Sequence, residues 1–256
     1  MTTNKLKLPS ATHVMEQVEL NGFTVIHNVV GLDFIEKQRN RWLPVFKKNN
    51  VTKKFVRGNL ILGEPNFLSY SNIPDWCMYR NFEFLWNESK DQEALQLHID
   101  LHRFRNTMQQ FDASYGLSYN SKNYGFYIST SYYPIDQGRL RAHTDGHGDV
   151  PILHYMLPLT FKGKDYVDGG LWCADKQGKN HNVDDLVQPG SIIFFDGRQK
   201  HWVDNIIGNE KMGIGRLAVF AIPTFFIKDA KMYLYKRGVH IYMLELANRL
   251  GIIKFS

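Results

Sequence analysis

The apolar positions of this chain follow two different rhythms. In the first 116 residues they recur mostly at helical spacing; from Tyr124 onward they fall into short runs broken by turn residues. Pro9 and Ser10 precede Val14, Val18 and Leu20, a pattern that predicts a short helix stopped by Gly22, and Phe23 to His27 reads as a strand. Asp33 can cap a helix running through Ile35, Trp42 and Phe46. Asp91 begins the clearest helix: Leu97, Leu101, Phe104, Met108 and Phe111 are spaced by four, three, four and three, one apolar face, and Gly116 ends the region. The stretch 49–90 is rich in Asn, Pro and aromatics and shows no clear period.

The second rhythm predicts strands at 124–133, 139–145, 151–160, 169–174, 181–187, 191–195, 200–206 and 215–226, separated by Gly, Asp, Asn and Pro. Short strands at regular spacing with turn signals between them point to a barrel or a double-sheet jelly roll. The tail 239–250 looks helical again. The simplest organisation is a single domain over 1–256: helical or irregular support at 1–123, a β-barrel core at 124–227 and a C-terminal helix at 228–256.

Composition narrows the class. With 256 residues, 43% hydrophobic and 22% charged, the chain is an ordinary globular protein that needs no disulfide staples. Aromatics at 14% hint at an aromatic-rich core or pocket. The net charge of +6 invites a nucleic-acid reading, but its distribution weakens it. Residues 1–60 carry 10 basic and 4 acidic side chains, residues 228–256 carry 6 and 2, and the middle carries 15 and 19, so the barrel region is net negative. Cys77 and Cys173 stand far apart with no CxxC, which suits a reducing cytoplasm. The first nine residues contain no apolar run of the signal-peptide kind, and the longest apolar run, Leu217 to Ile227, contains Pro223 and is too short to span a bilayer.

The candidate chemistry begins at His143-Thr144-Asp145. In an extended segment residues i and i+2 share a face, so an imidazole and a carboxylate converge. His201, beyond the strand at Ser191–Phe195 and the Asp196-Gly197 turn, would complete two histidines and one carboxylate. That set leaves three adjacent positions of an octahedral metal open and suits Fe(II) with a co-substrate and O2. Arg216 opens an apolar strand, where a buried guanidinium demands an anionic partner, most naturally a carboxylate. His98 and His102 have the i, i+4 spacing of a zinc pair, yet the glutamate of HExxH is missing, and they read as surface or boundary histidines. His147 reads as a turn residue and Asp184-Asp185 as an exposed turn. Cys173 reads as a small core residue, and the face of the strand 151–160 on which His154 lies is left open.

The ordered set Tyr133-Pro134, His143-Thr-Asp145, Asp168-Gly-Gly-Leu171, Pro189-Gly-Ser-Ile-Ile-Phe-Phe-Asp196, His201-Trp-Val203 and Arg216-Leu-Ala-Val219 resembles the Fe(II)/2-oxoglutarate-dependent dioxygenases, especially their prolyl-hydroxylase-like and phytanoyl-CoA-hydroxylase-like branches. The resemblance covers roughly residues 125–226. It implies a mainly β fold, a double-stranded β-helix (jelly-roll, cupin-like) barrel with a helical N-terminal layer. It further implies that His143, Asp145 and His201 hold Fe(II), that Arg216 pairs with the distal carboxylate of 2-oxoglutarate, and that Tyr133 lines the co-substrate pocket. One departure is the spacing from His201 to Arg216, 15 residues, longer than the family's usual gap. Lys211 inside that insertion is the alternative anchor, but it sits in a Gly-rich turn.

The implied reaction uses 2-oxoglutarate and O2, releases succinate and CO2, and oxidises a C–H bond of a second substrate. Because Asp145 is retained, hydroxylation or desaturation is expected rather than halogenation. The expected substrate is a small metabolite such as a free amino acid or natural-product intermediate, acted on by a monomer or weak homo-oligomer with no nucleic-acid or membrane partner. The rivals are the same chemistry on a protein or peptide side chain, a non-enzymatic cupin-like binding module and, more distantly, a nucleic-acid demethylase.

Overall fold

Most of the structure is one antiparallel sheet that curls back on itself. The computed structural model describes residues 6–48, 53–54, 67–73, 75–84, 91–115, 117, 124–145 and 153–225; the C-terminal helix expected at 228–256 and His147 lie outside them. Three α-helices are described: α1 (Ala11–Asn21), α2 (Leu32–Lys47) and α3 (Gln92–Met108). The strands are β1 (Phe23–Ile26), β2 (Lys53–Lys54), β3 (Phe67–Ile73), β4 (Trp76–Phe84), β5 (Tyr124–Tyr133), β6 (Arg139–His143), β7 (Leu153–Pro158), β8 (Asp168–Ala174), β9 (Asn180–Asn182), β10 (Ile192–Asp196), β11 (His201–Ile207) and β12 (Arg216–Phe225). No described helix is long and apolar enough to cross a membrane.

The sheet has two layers. β1-β10-β7-β12-β5-β4 form the larger, β6-β11-β8-β9 the smaller. β4 joins them, pairing with β5 along Tyr79–Phe84 and with β6 at Trp76 and Cys77. The outer face of the larger layer carries the helices. Phe34, Trp42 and Phe46 of α2 and Leu97, Leu101 and Met108 of α3 are buried with Tyr155, Leu157, Phe194 and Val219. Each such side chain contributes about 1.5–3 kcal/mol by leaving water. The helices are fixed locally as well. Ser10 accepts from the His13 N–H, Gly22 closes α1 in the left-handed region, and the Asp91 side chain accepts from the Ala94 N–H. A second apolar set, including Trp76, Met78, Tyr133, Met156, Phe195 and Phe220, fills the space between the two layers.

Three expectations are corrected. The run 181–187 is only a three-residue strand followed by a 3-10 turn, Val183–Leu186, because the Asn182 side chain accepts from the Asp184 N–H and turns the chain. Within the stretch without a clear period, β3 and β4 extend the larger layer, so 1–123 is not purely helical or irregular. β4 showed no alternation because both of its faces are covered: Tyr79 meets Phe46 of α2, with ring centroids 6.3 Å apart, while Trp76 and Met78 face the interior. Finally, His98 and His102 are buried rather than at the surface.

The Tyr155 hydroxyl donates to the His98 carbonyl and lies 3.2 Å from His98 Nδ1, while His102 Nε2 donates to the Tyr115 carbonyl. Burial lowers His98 to about 4 and His102 to about 3. Both are therefore neutral in the folded chain at pH values where the unfolded chain, with histidine near about 6.5, is already binding protons. The unfolded state takes up more protons below that value, so the stability held above it is lost as pH falls towards about 4. Urea unfolding at pH 7 and pH 5 is expected to show a loss in the wild type that is clearly smaller in His98→Gln; equal losses would contradict this reading.

Candidate metal centre

The sheet register builds the site. β6 and β11 run antiparallel with His143 directly opposite His201. The two imidazole centroids are 4.3 Å apart. Asp145 follows two residues after His143, and its N–H donates to the Gly197 carbonyl in the turn before β11. The carboxylate is thus held over the pair. Asp145 Oδ1 lies 3.8 Å from His143 Nε2 and Asp145 Oδ2 lies 3.5 Å from His201 Nε2. One ligand atom from each of the three residues falls within 4.8 Å of the others. His201 is buried, and His143 and Asp145 are half-buried.

The hydrogen bonds fix the ring protons. His143 Nδ1 is 2.9 Å from the Arg141 carbonyl, and His201 Nδ1 is 2.9 Å from the Gln199 carbonyl. Carbonyls only accept, so Nδ1 carries the proton on both rings and Nε2 presents a lone pair. Two bare nitrogens and a carboxylate therefore face one another with no proton between them, an arrangement a cation stabilises. Such anchoring of the second ring nitrogen is also how metal-binding imidazoles are oriented. Burial lowers His143 to about 4, and the nearby His201 adds to the effect, so the ring is a neutral ligand at neutral pH. Burial alone would raise Asp145, but the imidazole contacts, that of His154 first among them, outweigh it and hold the carboxyl well below the usual range. The donor set fits a divalent metal of the Fe(II) type with open positions.

Arg216 is also inside the barrel, but its carboxylate partner belongs to the chain itself. Arg216 Nε donates to Asp184 Oδ2 at 2.7 Å and Nη2 to Oδ1 at 3.1 Å. Asp184 further accepts from the Tyr166 hydroxyl at 2.6 Å and the Leu171 N–H at 3.0 Å. Asp184 is thus buried, not in an exposed turn; only Asp185 is exposed, pairing with Lys162. Gly170 is required here: a Cβ on it would strike the Asp184 carboxylate. Burial would raise Asp184 and lower Arg216, but each charge reverses the shift of the other, so the pair stays ionised. Tyr133 is the cross-strand partner of Arg216 and stacks under its guanidinium at 5.7 Å. Lys211 is exposed in the 208–215 turn, and Cys173 is a buried core thiol.

Three site residues escaped the sequence reading. Asp184 is one. Arg80 on β4 is another: its guanidinium lies over the Trp76 and Phe220 rings at 5.3 and 5.6 Å, and its charge reaches both Tyr133 and His143. His154 on β7 is the third, with Nε2 3.0 Å from Asp145 Oδ2. Every residue of β7 is buried, so no alternation marks its inward face. The closed end of the barrel generates a stability prediction. Asp184→Ala leaves Arg216 uncompensated and is expected to cost about 3–5 kcal/mol in urea unfolding. A loss below about 1 kcal/mol, the level of a surface pair, would contradict the buried pair.

No protein-family model matches the chain, and a comparison with curated proteins finds no match. Solved structures do match. A prolyl-4-hydroxylase from Pseudomonas putida superposes with a TM-score of 0.55 at 14% identity, covering 84% of this chain and 98% of that one. A 2OG-Fe(II) oxygenase family oxidoreductase from Burkholderia pseudomallei gives 0.53 at 14%, covering 88% and 97%. A full-length Neurospora crassa protein in complex with alpha-KG gives 0.55 at 14%, covering 84% and 79%. The curled two-layer sheet and its strand order are those of a jelly roll, and the chain has the fold of the 2OG-Fe(II) oxygenases.

Proposed function

We propose that this chain is an Fe(II)- and 2-oxoglutarate-dependent oxygenase that hydroxylates a C–H bond of a small metabolite, such as a free amino acid or a natural-product intermediate. The observation that carries the reading is the triad: His143 and His201 in cross-strand register, with Asp145 tethered above them and both Nε2 lone pairs turned inward. A non-enzymatic binding module has no need of that donor set. Bound iron would supply O2 activation coupled to oxidative decarboxylation of the keto acid, with succinate and CO2 as products.

The chain's own residues would divide the remaining work. His143, Asp145 and His201 would hold the metal. Arg216 would present a positive edge to the distal carboxylate of 2-oxoglutarate, with Asp184 holding the guanidinium in place and Tyr133 forming the floor beside it. The aromatic wall of Trp76, Phe195 and Phe220 would limit water at the reacting face. Large apolar side chains, Trp76, Met156, Phe195 and Phe220 among them, fill the space between the sheet layers near the triad, which leaves more room for a small substrate than for a bulky one.

A second reading, oxidation of a peptide side chain, is favoured by two of the structural neighbours. One is the bacterial prolyl-4-hydroxylase; the other is a prolyl hydroxylase from Trichoplax adhaerens in complex with a peptide fragment, at 16% identity and a TM-score of 0.51.

Anaerobic titration of the protein with Fe(II) and then 2-oxoglutarate is expected to produce a weak visible charge-transfer band that Asp145→Ala abolishes. Absence of the band in the wild type would overturn the assignment. Succinate release stimulated by a free metabolite supports the small-molecule reading; release stimulated only by peptides overturns it in favour of the second.

A further inference from the structure

His154 has no place in the triad and none in the keto-acid end of the barrel, yet it is 2% exposed and touches the carboxylate. It projects from β7 opposite Phe195, with ring centroids 5.0 Å apart, and its ring lies 6.4 Å from that of His201. Among the described residues, neither ring nitrogen makes a hydrogen bond of good geometry. A buried imidazole without partners is costly, and an apolar residue would pack against Phe195 without that cost. Asp145 Oδ2 lies 3.0 Å from Nε2.

The three histidines around Asp145 are therefore not equivalent. His143 and His201 spend their Nδ1 protons on strand carbonyls and offer lone pairs to the centre. His154 has no carbonyl partner among the described residues, which leaves its proton free to sit on Nε2 and point at the carboxylate. It is not a fourth ligand: the donor atoms that converge within 4.8 Å are those of His143, Asp145 and His201. Misaligned contacts in such sites commonly tighten on binding.

We propose that His154 is a positioning residue for the metal centre. Its Nε2–H would hold Asp145 Oδ2, leaving Oδ1 as the oxygen offered to a bound metal and the neighbouring position open. This inference rests on the metal reading above and adds to it the device that keeps Asp145 monodentate. Without the donor, Oδ2 would no longer be held away from a bound metal, and the set of open positions there would change.

The test uses Co(II) as the probe, titrated into the full chain without co-substrate, with circular dichroism and thermal unfolding as controls for folding. Wild type, His154→Leu, His154→Gln and His143→Ala are compared. The expected result is Co(II) affinity about 10- to 100-fold weaker in His154→Leu, an altered visible d–d band, and recovery of most of both in His154→Gln, which restores a donor. Wild-type affinity and an unchanged band in His154→Leu would overturn the proposal. So would a loss in His154→Leu that His154→Gln does not recover while folded, which would assign His154 to packing against Phe195. If the wild type itself bound no Co(II), or His143→Ala bound it equally well, the metal centre would fall and the positioning role with it.

Discussion

The register between β6 and β11 is the constraint on which the site depends. Because side chains alternate along a strand, a slip of one residue would send His201 to the opposite face and put Trp202 in its place. Several features hold the register. The Asp145 N–H reaches the Gly197 carbonyl, and Ala174 N–H reaches the Lys200 carbonyl on the other side of β11. His201 is opposite Cys173 of β8 as well as His143 of β6, so a small buried thiol leaves room for the imidazole. The turn between β5 and β6 is equally tight: a Cβ on Gly138 would lie 2.6 Å from the Tyr133 backbone. The same backbone that closes the barrel thus delivers the two imidazoles side by side, tilted against each other.

Charge inside the barrel is arranged in two compartments. At the closed end Arg216 and Asp184 neutralise each other, with Tyr166 and the Leu171 N–H completing the carboxylate's partners. At the open end Asp145 faces His143, His154 and His201, and two of the three rings have already committed their protons elsewhere. In the first compartment the two charges are paired within the chain. The second has a surplus of lone pairs, and that difference makes it the candidate metal site and separates it from an ordinary buried ion pair.

How much of this could be read from the sequence follows from the physics of each element. The helices α1 and α3 and the strands from Tyr124 onward were legible because one face is buried and the other is not, or because turn residues bracket them. His143, Asp145 and His201 were legible because an HxD step on a strand places both groups on one face. β4 was not, and β7 was legible as a strand but not in its inward face, since covering both faces erases the alternation that reveals inward positions. For that reason Arg80 was missed and the face of His154 was left open. Arg216 was correctly read as needing a carboxylate, but its first partner is Asp184, 32 positions back in the chain. Nothing in the Val183-Asp184-Asp185 turn signals which acid goes inward; the clue lies in Gly170, whose missing side chain makes room for it.

The central claim is that two imidazoles and one carboxylate form an open Fe(II) site. X-ray absorption at the iron edge, on the anaerobic Fe(II)-loaded chain before and after addition of 2-oxoglutarate, tests it most directly. The account predicts a six-coordinate nitrogen and oxygen environment with scattering from two imidazoles, in which added 2-oxoglutarate replaces light ligands without displacing either ring. A four-coordinate site, a site lacking imidazole scattering, or one indifferent to 2-oxoglutarate would contradict it.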